Sequence, residues 1–120
     1  MAMILLVEDE IFIRQYAEWT IRDLGHDILC AADVEEAMAH LSASTQIRSL
    51  FVDIRLQSRA HGGYEVADHA IKHRPMLKVL YTSGSPLTAE MSDRFVRGGR
   101  FLRKPYTAAQ LEHAIGATLN

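Results

Sequence analysis

The chain has 120 residues, 48% of them hydrophobic and 23% charged, which is the balance of one ordinary globular domain with a single core. Its net charge of -2 gives no indication of a general affinity for nucleic acid or membranes. Cys30 is the one cysteine, which excludes an internal disulfide and fits a reducing compartment.

Five apolar runs predict β-strands. The first covers residues 3–7 and stops at the acidic Glu8. It is too short to cross a bilayer, and it lacks the basic flank and cleavage site of a signal peptide, so we expect a cytoplasmic protein. The other four strands are predicted at residues 27–32, 50–52, 79–81 and 101–102.

Apolar residues spaced three or four apart predict five helices that alternate with these strands. The first helix begins near Ile13 and stops before Gly25. Asp33 and Glu36 form a plausible capping box for the second, and the third covers residues 64–73. The residues predicted to face the core from the first two helices are Ile13, Tyr16, Ala17, Thr20, Ile21, Leu24, Ala37, Met38 and Leu41.

The last two helices carry their own start signals. Ser85 and Pro86 predict the N-cap and first turn of the fourth helix, which would end at the glycine pair 98–99. Thr107 and Gln110 predict a capping box for the fifth. The residues predicted to be buried in these two helices are Leu87, Met91, Phe95, Ala108, Leu111, Ile115 and Leu119.

This alternation predicts an α/β domain with one doubly wound, five-stranded parallel sheet and helices on both faces. With the second strand at an edge, the strand order would be 2-1-3-4-5. Ligands of such sheets bind beyond the carboxyl ends of the strands, near the point where the strand order reverses. The residues that follow the strands are therefore the candidate functional residues.

Asp53 follows the third strand, where a lone carboxylate is either a cap for the next loop or a reactive group. The other strand ends favour a reactive group. Glu8 and Asp9 follow the first strand, Thr82 ends the fourth, and Lys104 follows the fifth. We therefore expect three carboxylates, one hydroxyl and one ammonium around a single crevice.

The chemistry of this set points to phosphoryl transfer. Neighbouring carboxylates repel, so one of them should keep its proton unless a cation is bound. Oxygen ligands beside a phosphate favour Mg²⁺, and a remaining carboxylate can act as a nucleophile. Lys104 is one of only three lysines, and its compact charge suits a single phosphoryl oxygen.

The order of these motifs along the chain resembles the receiver domain of two-component response regulators. The resemblance covers essentially the whole chain and implies one receiver domain, residues 1–120, with a flavodoxin-like, CheY-like fold. The segments that carry it are Leu5-Leu6-Val7-Glu8-Asp9, Leu50-Phe51-Val52-Asp53, Gly63-Tyr64-Glu65-Val66-Ala67, Thr82-Ser83-Gly84 and Lys104-Pro105-Tyr106.

The resemblance implies a role for each residue of the crevice. Asp53 would accept a phosphoryl group from a sensor histidine kinase or a histidine phosphotransfer protein. Glu8, Asp9, Asp53 and the backbone carbonyl of Arg55 would hold Mg²⁺, and Lys104 would pair with the phosphoryl group.

The resemblance also implies a conformational switch. Thr82 would move to bond the phosphoryl group, Phe101 would turn inward, and the surface of the fourth helix, fifth strand and fifth helix would change. Such a protein is a phosphoacceptor that assists its own phosphotransfer and dephosphorylation, not a classical enzyme. We expect a stand-alone receiver with an unknown downstream protein target, no nucleic-acid or membrane partner, and a monomeric or weakly dimeric state.

Three departures from the family pattern lie near the acceptor. Gln57 stands where proline is frequent, and residues 58–61 resemble an insertion, so this loop is expected to be mobile or specific to a partner. Arg55 lies two residues after Asp53, where family members differ in dephosphorylation rate. Phe101 replaces the tyrosine of many relatives, so the switch has no hydroxyl to place.

Two other functions compete with this interpretation. A degenerate receiver could act as a phosphate-independent interaction module, but the complete set of acidic, hydroxyl and lysine residues argues against it. A hydrolase of another phosphoaspartyl family would carry its nucleophile after the first strand, with a second aspartate two residues later. Here the candidate acceptor, Asp53, follows the third strand.

Surface residues leave further alternatives open. His69 and His73 have the helical spacing of a zinc site, but without an evident third ligand we favour surface histidines. Phe12 and Trp19 lie off the inner stripe of the first helix, and Phe12 is the better candidate for kinase docking. The arginines near the fourth helix and fifth strand form either a solvated face or a surface for an acidic partner. They are Arg94, Arg97, Arg100 and Arg103.

Overall fold

A five-stranded parallel sheet runs through the centre of the structure, which is a computed structural model that describes residues 2–120. The strand order is β2-β1-β3-β4-β5, as the sequence predicts, so the doubly wound α/β fold is confirmed. The strands are β1 (Met3–Val7), β2 (Asp27–Ala31), β3 (Ile47–Asp53), β4 (Lys78–Ser83) and β5 (Arg100–Arg103).

Five helices alternate with the strands and cover both faces of the sheet. They are α1 (Ile11–Asp23), α2 (Val34–Ala43), α3 (Gly62–His73), α4 (Ala89–Arg94) and α5 (Ala108–Leu119). Within residues 2–120, none of them combines the length and apolar character that crossing a bilayer requires.

The sheet separates two apolar cores because side chains alternate between the faces of each strand. Leu5 and Val7 of β1 pack with α2 and α3 on one face. Ile4 and Leu6 pack with α1 and α5 on the other face. Strands that are buried on both faces need apolar residues at every position, which explains the continuous apolar runs in the sequence.

The predicted C-terminus of α1 and the predicted N-terminus of α5 are confirmed. Gly25 adopts a left-handed φ of +91°, and its N–H donates to the Arg22 carbonyl over 2.9 Å. The next N–H, that of His26, reaches back to the Ile21 carbonyl, which completes a Schellman ending for α1. At α5, the side chains and backbone of Thr107 and Gln110 form both bonds of a capping box.

Both predicted ends of the fourth helix are wrong, since α4 begins after Thr88 and already ends at Arg94, before the glycine pair 98–99. Thr88, not Ser85, is the N-cap, and its hydroxyl accepts from the Met91 N–H over 3.2 Å. Ser85 instead donates its N–H to the Ser83 hydroxyl, so the chain is still turning where a helix was expected. Leu87 is consequently 51% exposed, and no side chain within the six residues of α4 is buried.

Two further predictions of burial are wrong. Tyr16 of α1 is 42% exposed because the inner face of that helix is occupied by the smaller Ala17 and by Ile21. Ala108 of α5 is exposed, while Thr118 near the end of the same helix is buried and donates its hydroxyl to the Ala114 carbonyl. Both corrections concern residues at the edge of an apolar stripe, where sequence spacing alone does not decide burial.

Gly63 fixes the start of α3 against the end of β3. Its N–H donates to the Ile54 carbonyl over 2.8 Å. A Cβ at this position would overlap the carbonyl oxygen of Asp53 and lie 2.7 Å from the Ile54 Cα. Only a glycine therefore allows the helix to approach the strand end that carries Asp53 so closely.

We predict that Gly63→Ala lowers the free energy of unfolding by about 1 to 3 kcal/mol, because the backbone of β3 and α3 must separate. Gly116→Ala is the matched control, since a Cβ there meets no atom within 4 Å. Alanine in the interior of α5 should stabilise by about 0.5 to 1 kcal/mol relative to glycine. Urea denaturation measures both, and equal effects of the two substitutions would contradict the close approach.

Candidate functional site

A single ammonium joins two buried carboxylates at the carboxyl ends of the strands. The Lys104 Nζ lies 2.6 Å from Asp53 Oδ2 and 3.0 Å from Glu8 Oε1. Asp53 and Glu8 are 3% and 1% exposed, so these contacts are shielded from water. Parallel strands bring the three residues together because β1, β3 and β5 end at the same edge of the sheet.

Burial raises the pKa of the Glu8 carboxyl to about 8, and the nearby charge of Asp53 adds to the effect. Burial also raises the pKa of Asp53, although the bond from Lys104 opposes this change. The pKa of Lys104 is raised in turn, because its bonds to Asp53 and Glu8 outweigh its own burial. The pKa of about 8 favours the protonated form of Glu8 near neutral pH, chiefly because of burial and additionally because of the neighbouring Asp53.

Asp9 is the third carboxylate of this site. Burial would raise its pKa, but the N–H of Gln57, 2.9 Å from Asp9 Oδ2, and other hydrogen bonds lower the pKa overall. Glu8, Asp9 and Asp53 each offer one oxygen, and these three oxygens lie within 4.8 Å of one another. Such a set of hard oxygen donors, with two raised carboxyl pKa values that a bound cation would lower, fits a divalent ion such as Mg²⁺.

Thr82 lies beside Asp53 in the sheet, since the two residues are register partners of β3 and β4. Its side chain is buried, and its hydroxyl donates to the Leu102 carbonyl over 2.6 Å. The hydroxyl therefore bonds the backbone of β5 in this structure rather than the carboxylates. A rotation about its Cα–Cβ bond is the movement that would bring it toward Asp53.

An open cavity of about 670 Å³ lies beside two of the carboxylates. Asp9, Asp53 and Lys104 line it, together with Arg55 and His61 of the loop between β3 and α3. The cavity is large enough for a small anion together with its hydrated counterion. Asp53 can thus be reached from solution even though its own carboxylate is almost fully buried.

Comparison with characterised proteins identifies the family of this fold. No family profile matches the chain. Protein PilG of Pseudomonas aeruginosa is 28% identical over 119 residues, which cover 95% of this chain and 84% of PilG. The probable transcriptional regulator ycf27 of Porphyridium aerugineum is 27% identical over 116 residues, 97% of this chain, but the chain spans only 47% of that protein.

Solved structures of similar proteins indicate the same family as these sequence matches. A response regulator receiver protein from Sinorhizobium medicae superposes with a TM-score of 0.89 and 29% identity, over 99% of this chain and 94% of that chain. The receiver domain of NtrX from Brucella abortus gives a TM-score of 0.84 and 31% identity, over 97% of each chain. The chain belongs to the receiver-domain family of response regulators. Its CheY-like, flavodoxin-like fold is that of a signalling module.

The receiver fold brings together five residues that the sequence singled out at the strand ends, namely Glu8, Asp9, Asp53, Thr82 and Lys104. Phe101 lies apart from them, half-buried on β5, with its ring 6.2 Å from that of Phe95. This places the predicted switch residue beside the end of α4 rather than in the crevice.

Two contributors to the receiver site were missed in the sequence. Arg14 of α1 donates to the backbone carbonyls of Glu8 and Asp9, over 2.8 and 3.4 Å, and so holds the acidic pair in place. Gln57 contributes its backbone N–H to Asp9. The available signal for Arg14 was its position in the first turns of the helix that follows the acidic pair. A side-chain pattern gives no sign of a backbone amide such as that of Gln57.

The structure gives the positions of the surface residues whose roles the sequence left open. The rings of His69 and His73 lie 5.5 Å apart, but within residues 2–120 the potential metal-binding groups of three or more side chains do not include them. Phe12 and Trp19 are 76% and 68% exposed. Arg94 lies over the Tyr64 ring, 4.8 Å from its centroid. The other three arginines of the cluster are exposed, namely Arg97, Arg100 and Arg103.

We predict that Lys104→Met lowers the free energy of unfolding by about 1 to 3 kcal/mol in buffer with a metal chelator, because two buried carboxyls lose their shared hydrogen-bond donor. Arg103→Met is the control, since it removes an exposed cation from the position directly before Lys104, at the end of β5. Chemical denaturation at neutral pH measures both changes. Equal stabilities of the two variants would show that the Lys104 contacts contribute nothing.

Proposed function

We propose that the chain forms one receiver domain that accepts a phosphoryl group on Asp53 and signals by the resulting change of its surface. One observation carries the proposal. The Lys104 ammonium lies 2.6 Å from the carboxylate of Asp53, a residue that is only 3% exposed yet lines an open cavity. A structural ion pair has no need of such a cavity, whereas a reactive carboxylate must be reached by its donor.

The proposed donor is a phosphohistidine on a sensor histidine kinase or a histidine phosphotransfer protein. An oxygen of Asp53 attacks the phosphorus and a P–O bond forms while the P–N bond breaks. The electron pair of that bond stays on the imidazole nitrogen, which is protonated from water. Lys104 is placed to stabilise the negative charge that develops on the phosphoryl oxygens, because its Nζ already lies at Asp53 Oδ2.

The carboxylates of Glu8, Asp9 and Asp53, with the backbone carbonyl of Arg55, are the groups that would hold Mg²⁺. When bound, the ion supplies positive charge that neutralises both the carboxylates and the phosphoryl oxygens. Support comes from the three oxygens within 4.8 Å and from the raised pKa values of Glu8 and Asp53. Arg14 and Gln57 orient this set by bonding the backbone and side chain of the acidic pair.

Thr82 and Phe101 are the proposed switch residues. Thr82 would exchange its 2.6 Å bond to the Leu102 carbonyl for a bond to the phosphoryl group. Phe101 would turn inward and change the surface formed by α4, β5 and α5. The shortness of α4 and its lack of a buried side chain support this, since weakly packed elements are the ones that rearrange at low cost. Phosphorylation then needs only to favour one of two packings.

The surface beside the site supports a protein partner. Phe12 is 76% exposed in the first turn of α1, which directly follows the acidic pair Glu8 and Asp9. A protein that delivers a phosphohistidine to Asp53 would contact this turn. Such a receiver assists its own phosphotransfer and dephosphorylation without turning over a substrate in the manner of a classical enzyme. Its downstream partner is a protein, and the chain acts as a monomer or weak homodimer.

We predict that acetyl phosphate with Mg²⁺ adds one phosphoryl group to the chain, and that Asp53→Asn abolishes the addition. Asp27→Asn makes the same chemical change at the start of β2, the opposite end of the sheet, and should be phosphorylated like the parent. Intact-mass spectrometry measures both. A modification that survives Asp53→Asn, or one that does not depend on Mg²⁺, would refute the assignment of the acceptor.

We predict that Asp9→Asn raises the dissociation constant for Mg²⁺ by at least about tenfold, equivalent to about 1.4 kcal/mol, because one anionic oxygen ligand is lost. Glu10→Gln is the control, since it removes the exposed carboxylate next in the chain. Isothermal titration calorimetry provides both affinities. If Glu10→Gln weakens binding as much as Asp9→Asn does, general charge rather than ligation holds the ion.

A further inference from the structure

The loop between β3 and α3 ends in a tight turn that contacts the acidic pair. The N–H of Leu56 donates to the Arg59 carbonyl over 3.0 Å, and the N–H of Arg59 donates back over 2.9 Å. The Leu56 side chain is 1% exposed and anchors the turn in the core. At the tip, the N–H of Gln57 donates to Asp9 Oδ2. The segment that resembles an insertion in the sequence is thus tied to a proposed metal ligand.

We propose that Arg59 is a positioning residue for the magnesium site, because it clamps this turn between two helices and so holds the Gln57 amide against Asp9. The inference rests on the proposed function, since it concerns the site at which Mg²⁺ would bind. Arg59 itself touches none of the reacting groups. It acts through the backbone of the turn.

The clamp is a guanidinium fork. Arg59 Nη2 lies 2.5 Å from a Glu35 oxygen on α2, and its Nη1 lies 3.2 Å from a Glu65 oxygen on α3. Arg59 and both partners are substantially exposed, so these pairs contribute little to the global free energy of unfolding. Their consequence is local, because they tie the turn to α2 and α3.

The backbone of Gln57 supports a functional reason for the turn. Its φ of +56° lies in the left-handed region, which glutamine adopts only at a cost. In this conformation its amide reaches Asp9 Oδ2. The bond from the amide to Oδ2 restricts rotation of the Asp9 carboxylate and so fixes how its oxygens face the site. Outer-sphere bonds of this kind fix the orientation of metal ligands and affect affinity.

The direction of the expected effect separates positioning from simple electrostatics. Arg59→Met removes a positive charge near a cation site and leaves Glu35 and Glu65 without this partner. Coulomb's law alone therefore predicts tighter binding of Mg²⁺. Loss of positioning predicts weaker binding, because Asp9 is then free to turn its carboxylate away from the ion.

The test is isothermal titration of Mg²⁺ into the parent chain and Arg59→Met. We expect the dissociation constant of Arg59→Met for Mg²⁺ to rise about three- to tenfold. This is less than the effect of losing a group that bonds a metal ligand directly, because Arg59 acts only through the turn. Arg22→Met is the matched control, because Arg22 forms a comparable exposed ion pair with Glu18 on α1, at 3.0 Å. Its affinity for Mg²⁺ should equal that of the parent.

A second measurement needs no metal. Hydrogen exchange followed by NMR in chelator should show that the Gln57 amide exchanges several times faster in Arg59→Met than in the parent or Arg22→Met. If Arg59→Met does not fold, Arg59→Lys decides by the same two measurements, because lysine keeps the charge but cannot fork between two carboxylates.

The outcomes distinguish this inference from the proposed function. A parent chain that binds no Mg²⁺ overturns both. A parent that binds Mg²⁺, with equal or tighter binding by Arg59→Met, overturns the positioning role alone. An unchanged exchange rate at Gln57 also overturns it, because the turn would then hold its position without the clamp.

Discussion

One ammonium shared by two buried carboxylates is the interaction on which the rest of the site depends. Lys104 leaves the end of β5 and reaches across β4 to Asp53 and Glu8. The path is open because β4 places only the small side chain of Thr82 beside Asp53. The pKa of Glu8 stays raised beside this ammonium, chiefly because the carboxyl is buried and also because Asp53 lies close to it. A second cation would favour the charged form of both carboxyls, which is the physical reason to expect one there.

The site joins a rigid part of the fold to a loosely packed one. Asp53 is held by a strand buried on both faces and by the close approach of Gly63 to its backbone. On the other side, α4 has six residues and no buried side chain. Its end is connected to the core by the partly buried Phe95, whose ring stacks on Tyr81 at 4.2 Å between centroids, and by Val96. A change at Asp53 is therefore more easily expressed at α4 than at β3.

Much of the fold was predictable because local and tertiary preferences agree. Each strand is centred on a short apolar run. The end of α1 and the start of α5 have the caps that their sequences indicate. The start of the fourth helix was not predictable, because Ser85 and Thr88 are both good N-caps. Tertiary structure selects Thr88. The chain is still turning at Ser85, whose N–H donates to the Ser83 hydroxyl, so the helix begins only after Thr88.

By itself, the sequence determined which polar residues lie at the carboxyl ends of the strands. Parallel strands end at one edge of a sheet, so Glu8, Asp53 and Lys104 had to meet once the strand order was known. Only the tertiary structure decided how they interact, because the distances to Lys104 and the degree of burial set each pKa. It alone also revealed the amide of Gln57 at Asp9, since a backbone group leaves no mark in a side-chain pattern.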